Sequence, residues 1–237
     1  MHAASVFRNA RSLDTALDAL VDHAAVLGFD AIDYGYLPRA RCYDGGWNAP
    51  DIASRRFPPR WERGWTRYAS HDPFLWICYQ QNLPLDWNEV KDAPWLSATQ
   101  RQAIAFIDEL GFLDGISVPI HLSDGRFAFV SGLSHAPSGA WRAREQSVEQ
   151  LFVLAHAFHS SVAQHVGVRG PTTVTRLTPR EREVLTHAAA GRNAPSTARA
   201  MHRALETVRR QRKSAMSKLG AQTIAQAVAR ALSLGLI

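Results

Sequence analysis

The sequence has little cysteine, no long apolar run and no recognisable leader. Of its 237 residues only Cys42 and Cys78 are cysteines, which is too few for a disulfide framework and matches no CxxC site. No run of about 18 apolar residues occurs, so we expect no membrane-spanning helix. Residues 1–5 lack the charged and apolar regions of a signal peptide. These absences argue against secreted, membrane-bound and disulfide-stapled proteins and predict a reduced chain in the cytoplasm.

Motifs of catalysis are also missing. The sequence contains no GxGxxG, Walker A, HExxH or GxSxG pattern. It also contains no nucleophile and base at the spacing of a known catalytic motif. His156, His159 and His165 fall on one predicted helix, and the first two could share a face as metal ligands sometimes do. Because no cysteine or acidic partner lies nearby, core or solvated histidines are the simpler interpretation. We therefore expect no enzyme, no metal and no cofactor.

Charge is distributed unevenly along the chain. Residues 1–165 contain 14 Lys and Arg against 18 Asp and Glu, a net charge of −4, whereas residues 166–237 contain 13 against 3, a net charge of +10. A short segment of such positive charge repels itself unless a polyanion binds it, and nucleic acid is the usual one. The alternatives at this point are a solvated basic tail and a patch for anionic lipid.

The first 165 residues alternate between helical and strand patterns. Helices are predicted over residues 13–27, over a short stripe at Trp61, Trp65 and Tyr68, from the Ser97 capping box to Gly111, and along residues 148–162. Strands are predicted over residues 31–37, 116–122 and 127–133, with residues 38–57 as loop. Helices on both sides of an antiparallel sheet make an α+β fold, here an α/β/α sandwich. Residues 166–176, rich in Gly and Thr, suit a linker.

Residues 177–237 predict a four-helix unit with a helix-turn-helix. Thr178 and Glu181 form a capping box with a proline between them, Asn193 caps a second helix, and a third helix follows over residues 205–219 after a short turn. A fourth helix is predicted over residues 223–234. Burial of Val208, Ala215 and Leu219 on the third helix sends Arg209, Arg210, Lys213 and Ser217 to its outer face. Such a helix fits the DNA major groove, where Arg binds guanine.

This segment resembles the helix-turn-helix domain of the LuxR family. The resemblance is carried by residues 177–185, Gly191, residues 207–208, 218–220 and 226–229. It implies DNA contacts from Thr207, Arg209, Arg210, Lys213, Ser217 and Lys218, with the last near the phosphates. The sequence departs from the family at Ser196 and Thr197, and at Ala204, where a capping Ser is usual.

Residues 10–165 resemble the acyl-homoserine-lactone-binding domain of quorum-sensing LuxR regulators. The motif residues are 57–61, 72–73, 83–84, Trp87, Gly111, Gly115 and Pro119. The resemblance implies that Trp61 donates to the lactone carbonyl, Asp72 accepts from the ligand amide, Trp87 packs over the lactone ring and Ser131 binds the amide carbonyl. Phe57 and Trp65 complete the expected ligand-binding set, with Trp65 standing where the family has tyrosine.

Structural roles remain open for four of these residues. Trp61 and Trp87 suit an ordinary core, Asp72 suits a helix end before Pro73, and Ser131 suits a strand hydroxyl bonded to the backbone. An indole is larger than a phenol and offers no acceptor, so Trp65 changes both the volume and the hydrogen bonding of the expected pocket.

The sequence as a whole predicts a ligand-responsive transcriptional regulator that binds a pseudo-palindromic DNA site as a homodimer, with RNA polymerase as a possible partner. The expected domains are a sensor over residues 1–165, a linker over 166–176 and a DNA-binding domain over 177–237. The alternative is a LuxR-type solo regulator that responds to another small molecule or to none. A nonspecific DNA-coating protein and a hydrolase acting on the acyl ligand are further hypotheses of other classes.

Overall fold

A computed structural model describes residues 5–38, 48–122, 125–137, 139–144, 146–163 and 176–237. The chain divides into two compact units, Met1–Arg169 and Gly170–Ile237. Of the predicted linker only Arg176 falls within the described residues. No helix in the described ranges is long and apolar enough to cross a membrane.

The first unit is built on an antiparallel sheet. Its described strands are β1 (Ala31–Leu37), β2 (Asp51–Arg55), β3 (Leu85–Asp86), β4 (Asp114–His121) and β5 (Phe127–Ser134), in the order β2-β1-β5-β4-β3. The described helices of this unit are α1 (Leu13–Leu27), α2 (Trp61–Trp65), α3 (Pro73–Gln80), α4 (Asn88–Lys91), α5 (Ala98–Glu109) and α6 (Ser147–Val162). Short 3-10 turns occur at Ala69–His71 and Ala140–Ala143.

Each face of the sheet has its own hydrophobic core. On one face Ile32, Tyr34 and Tyr36 of β1 pack with α1 and α6. On the other face Ala31 and Leu37 pack with residues of α2, α3 and α5. Because successive strand side chains alternate between faces, Asp33 of β1 belongs to the second face. This arrangement confirms the predicted α/β/α sandwich.

Local sequence signals account for the helix ends that were predicted. Ser12 and Ser97 accept hydrogen bonds from the backbone of Thr15 and Gln100 in complete capping boxes. Gly28 ends α1 in the left-handed conformation, with φ of 98°, which costs glycine little because it has no Cβ.

Several elements differ from the prediction. The predicted loop 38–57 contains β2 at its end, and β3, α3 and α4 were not predicted at all. Tyr68 lies beyond the last residue of α2, so only Trp61 and Trp65 of the predicted stripe are helical. Residues 123–124 of the predicted hairpin turn lie outside the described residues. The three predicted strands agree with β1, β4 and β5, and the three longer predicted helices agree with α1, α5 and α6, each to within a few residues.

The second unit consists of four helices over the described residues 176–237. They are α7 (Pro179–Ala189), α8 (Ala194–Ala200), α9 (Leu205–Lys218) and α10 (Ile224–Ser233). Thr178 and Glu181 form the predicted capping box, and Asn193 caps α8 through Ser196. One hydrophobic cluster joins α7, α8 and α9 through Val184, Ala198, Met201 and Val208. A second cluster joins α7, α9 and α10. The predicted helix-turn-helix is thus formed by α8, the turn after it and α9.

Candidate ligand pocket and nucleic-acid interface

A cavity lies between the sheet and helices α2 and α3 of the first unit. Its volume is about 10 Å³, close to the least space that one water molecule needs. The described residues that line it are mostly apolar or aromatic and include several polar groups: Asp33, Trp61, Trp65, Asp72, Phe74, Leu75, Cys78, Trp87, Ile107, Ser117, Phe129, Ser131 and Leu133. An apolar enclosure with a few converging polar groups is the usual form of a small-molecule site.

A row of polar side chains crosses the floor of this cavity. The strand register places Asp33 of β1 opposite Ser131 of β5, and Ser131 opposite Ser117 of β4. The Ser117 and Ser131 hydroxyl oxygens are 2.9 Å apart. The indole nitrogen of Trp87 donates to the Ser117 hydroxyl at 2.9 Å. The row therefore links Trp87 to the middle of the sheet, where Ser131 also forms a hydrogen bond with Asp33.

Trp87 closes one end of the cavity by stacking. Its ring lies 4.2 Å from the ring of Phe74, with planes 11° apart. A Cβ added to Gly115 would come within 2.8 Å of the Trp87 ring. The glycine therefore allows the indole to lie flat against β4.

Asp72 combines a structural contact with a position at the cavity. Its Oδ1 accepts from the backbone N–H of Phe74 at 2.8 Å and of Leu75 at 3.2 Å, so it caps α3 ahead of Pro73. No described residue binds its Oδ2. Burial raises the pKa of Asp72 to about 6 despite the two backbone hydrogen bonds, which lower it.

Two stacked indoles from α2 also line the cavity. Trp61 and Trp65 lie one turn apart on α2 with ring centroids separated by 4.9 Å and planes 19° apart. Phe57 packs against Trp61 at 4.6 Å but does not line the cavity. The Trp65 Nε1 atom is buried and has no hydrogen-bond partner among the described residues, so it presents an unused donor.

Asp33 is the most unusual group in the cavity. It is 7% exposed, and its Oδ1 has no hydrogen-bond partner among the described residues. Burial raises its pKa to about 7; Ser131 lowers the pKa by hydrogen bonding, and the nearby Asp72 carboxylate raises it further. A buried carboxylate with an unpaired oxygen is costly unless a ligand or partner satisfies it.

The structure brings together five of the six residues predicted to bind a ligand. Trp61, Trp65, Asp72, Trp87 and Ser131 line one cavity, and Phe57 stands behind Trp61. The sequence argument did not identify Asp33 or Ser117. A signal for Asp33 was present, because a carboxylate in a strand with two apolar faces is exceptional.

Of the three histidines considered in the sequence analysis, His156 and His159 lie on α6. His159 is buried and its Nδ1 lies 2.9 Å from the Tyr34 hydroxyl. Burial lowers the pKa of His159 to about 4, which makes its ring a neutral member of the core. His165 lies outside the described residues.

The outer face of α9 carries the predicted DNA-contacting cations. Arg209, Arg210, Lys213 and Ser217 are exposed, and Thr207 is half-buried in the first turn. Arg209 lies 3.6 Å from Glu206 on the same helix, an exposed pair that is worth little in water. These side chains are therefore available to a polyanion that approaches α9 from outside.

Lys218 differs from Arg209, Arg210 and Lys213 because it contacts another helix. Its Nζ is 2.8 Å from Glu181 Oε2 and 3.3 Å from the backbone oxygen of Arg176. Glu181 also accepts from the Ser214 hydroxyl and the Thr178 amide. Burial opposes ionisation of Glu181, but the hydrogen bonds led by Lys218 outweigh it and hold its pKa at about 2. Lys218 thus joins α9 to α7.

The residues that depart from the LuxR pattern have visible consequences. Ala204 occupies the N-cap of α9, so that helix has no side-chain cap. The buried Thr197 hydroxyl donates to the Asn193 carbonyl and accepts from Arg212 at 3.1 Å. This bond connects α8 to α9 with a polar contact inside the helix-turn-helix.

A sensor unit with an enclosed pocket and a unit with a cationic helix-turn-helix define a ligand-responsive DNA-binding regulator. Residues 12–162 match the family described as autoinducer binding domain, and residues 175–231 match the family described as bacterial regulatory proteins, luxR family. The chain therefore belongs to the LuxR family of transcriptional regulators that contain an autoinducer-binding domain.

Individual known proteins are similar to this chain in sequence or in fold. The chain is 29% identical over 234 residues to the transcriptional activator protein BjaR1 of Bradyrhizobium diazoefficiens, covering 94% of this chain and 89% of the relative. Its fold is similar to SdiA of Escherichia coli, with 16% identity, a TM-score of 0.64 and coverage of 98% and 94%. It is also similar to CepR2 of Burkholderia cenocepacia, with 20% identity, a TM-score of 0.55 and coverage of 70% and 94%.

Proposed function

We propose that this protein senses an N-acyl-homoserine lactone and converts its binding into a change in DNA binding. The observation that carries the proposal is the cavity on the second face of the sheet, where indoles, a carboxylate and a hydroxyl converge. The similar protein CepR2 is described as N-acylhomoserine lactone dependent, which supports this ligand class.

The predicted ligand-binding residues each have a role on such a ligand. Trp61 donates its indole N–H to the lactone carbonyl. Asp72 accepts from the amide N–H through Oδ2, the carboxylate oxygen that does not cap α3. Ser131 donates to the amide carbonyl, and Trp87 lies over the lactone ring. Trp65 adds a second indole donor, and Phe57 supports Trp61 from outside.

Ligand binding must enlarge the cavity. Small-molecule sites have volumes of roughly 300–1,000 Å³, whereas this cavity holds about 10 Å³. The ligand therefore separates α2 and α3 from the sheet and replaces their mutual contacts with its own. A ligand that binds only the folded chain also stabilises it in proportion to the logarithm of its concentration, and this links occupancy to order in the sensor domain.

The DNA-binding half of the proposal places α9 in the major groove. Arg209, Arg210 and Lys213 read base edges, Thr207 and Ser217 flank them, and Lys218 lies near the phosphates while it holds Glu181. Two copies of the chain as a homodimer present two such helices to half-sites about one helical turn apart. Cytoplasmic location and contact with RNA polymerase complete the proposal for a regulator of bacterial transcription, which we propose in preference to an enzyme.

A second candidate is a solo regulator that responds to another small molecule. Trp65 favours it, because an indole replaces the phenol of the family and leaves a buried donor without a partner. SdiA, which shares the fold, has been solved in complex with octanoyl-rac-glycerol.

The ligand half of the proposal is tested with Asp72→Asn. Asparagine caps a helix as well as aspartate does, so α3 remains capped, but the neutral amide is a weaker acceptor for the ligand N–H. We expect the affinity for lactones that stabilise the wild-type chain to fall by about tenfold or more, as measured by ligand titration followed through thermal unfolding.

The matched control is Asp92→Asn, which changes an exposed carboxylate and is expected to leave the titration unchanged. An Asp72→Asn curve that coincides with the wild type would remove Asp72 from the site. A wild-type chain stabilised by no acyl-homoserine lactone, but stabilised by another acylated molecule, would favour the second candidate.

A further inference from the structure

Asp33 is a buried acceptor that the proposed contacts to a lactone head do not use. It lines the cavity, it is 7% exposed, and its Oδ1 has no partner among the described residues. The lactone carbonyl is assigned to Trp61, the amide N–H to Asp72 and the amide carbonyl to Ser131. An acceptor on the sheet floor is therefore left over for a further group of the ligand.

The strand register fixes which part of the ligand Asp33 can reach. Asp33 and Ser131 are directly opposite on antiparallel strands, where side chains of a pair begin about 4.5–5.5 Å apart. A ligand whose amide carbonyl binds Ser131 places the first carbons of its acyl chain within reach of the neighbouring strand. Phe129 limits the space beyond, since a Cβ on Gly35 would lie 2.2 Å from its ring. Asp33 therefore faces the acyl chain close to the amide.

The chemistry of Asp33 discriminates between acyl chains. A methylene group at this position would cover the carboxylate without a hydrogen bond, which is costly for a buried charge. A ketone oxygen would set its lone pairs against those of the carboxylate. A hydroxyl group would donate to Oδ1 in a charge-assisted hydrogen bond, the strong kind.

We propose that Asp33 is a specificity-determining residue that selects an acyl-homoserine lactone with a hydroxyl group on its acyl chain near the amide. The hydroxyl donates to Asp33 Oδ1, while Ser131 holds the adjacent carbonyl. This assignment rests on the proposed function and adds to it the class of acyl chain that the pocket prefers.

The test compares three lactones of equal chain length with β-hydroxy, β-keto and unsubstituted acyl groups. Affinities are measured by titration of the full-length protein at about pH 8, above the pKa of about 7, so that the carboxylate is ionised. We expect the wild type to bind the β-hydroxy ligand about tenfold or more tightly than either of the others.

Two variants distinguish a specific role of Asp33 from a general role in folding. Asp33→Val removes the acceptor, and we expect the preference to shift to the unsubstituted lactone. Asp33→Asn introduces an amide donor, and we expect binding of the β-keto lactone to improve relative to the unsubstituted one. Asp51→Asn, at an exposed position of β2, is the control and keeps the wild-type order. Ratios of affinity within one variant do not depend on its folded fraction.

The outcomes separate this inference from the proposed function. Equal or tighter binding of the unsubstituted lactone by the wild type, with ratios unchanged in both variants, would overturn the role of Asp33 and leave lactone sensing intact. Binding of none of the three lactones would contradict lactone sensing, and the inference would fail with it. A wild-type preference for the β-keto ligand that both variants abolish would also contradict the proposed hydrogen bond from a ligand hydroxyl to Asp33.

Discussion

In both units, a side chain that stabilises the local structure also lies at a proposed binding site. Asp72 caps α3 with one carboxylate oxygen and lines the cavity. Lys218 binds Glu181 inside the second unit while it lies at the end of the helix that carries Arg209 and Lys213. Substitutions at these two positions therefore change local structure and binding together, whereas Arg209 and Lys213 are exposed and suit a cleaner test.

The residue-scale prediction concerns base recognition by α9. Arg209→Ala or Lys213→Ala removes an exposed side chain, so folding is expected to be unaffected. Each variant should lose roughly 1–3 kcal/mol of binding free energy at one or two base positions of the operator. The measurement is binding to a set of operators with single-base changes. Arg182→Ala, at an exposed position of α7, is the control, and equal weakening on random DNA would contradict base recognition.

Residue-level sequence reasoning identified the aromatic part of the site better than its polar floor. The one-turn spacing of Trp61 and Trp65 predicts their common face, and the alternation of Phe127, Phe129 and Ser131 predicts the side of β5 that lines the cavity. The sequence marks Asp33 as an unusual strand carboxylate, but its place beside Ser131 depends on the pairing of β1 with β5. That pairing joins residues about a hundred positions apart in the sequence.

At the scale of secondary structure, end signals located several helices, but the start signal of α3, formed by Asp72 and Pro73, was not recognised as one. Capping boxes and stop glycines mark α1, α5 and α7, and their positions agree with the sequence analysis. The two-residue strand β3 pairs with β4, and the four-residue helix α4 buries Val90 in the core of the second face. No periodicity can develop over so few residues. The strand β2 lies at a sheet edge and is half-buried or exposed, so its alternation is weak.

The element-scale prediction concerns the uncapped start of α9. Ala204 has extended backbone angles, φ of −65° and ψ of 140°, and no side-chain hydrogen bond. Serine at this position can accept from the first-turn amides, so Ala204→Ser should stabilise the helix by about 0.5–2 kcal/mol. Hydrogen exchange of the first-turn amides of α9 in the full-length protein measures the gain in protection.

Ala229→Ser provides the matched control for this prediction. It makes the same change at an exposed position within α10, where serine is slightly unfavourable for a helix. Slower exchange in α9 for both variants, or for neither, would contradict the cap as the cause.

At the scale of the whole molecule, the chain separates charge between its two units. The first 165 residues have a net charge of −4 and the remainder has a net charge of +10. A polyanion such as DNA is therefore expected to bind the second unit. The composition and motifs were enough to predict this division and the family. The small volume of the cavity was not predictable, because it depends on how closely α2 and α3 pack on the sheet.

The central claim is that a lactone bound in the sensor unit changes sequence-specific DNA binding by the other unit. The most direct test selects sites from random duplex DNA with the full-length protein and then measures its affinity for the selected site with and without the lactone that stabilises it. The account predicts one two-fold symmetric site with half-sites about one helical turn apart and an affinity that changes on addition of the lactone. Uniform protection of DNA without a preferred site, or an affinity that the lactone does not change, would contradict it.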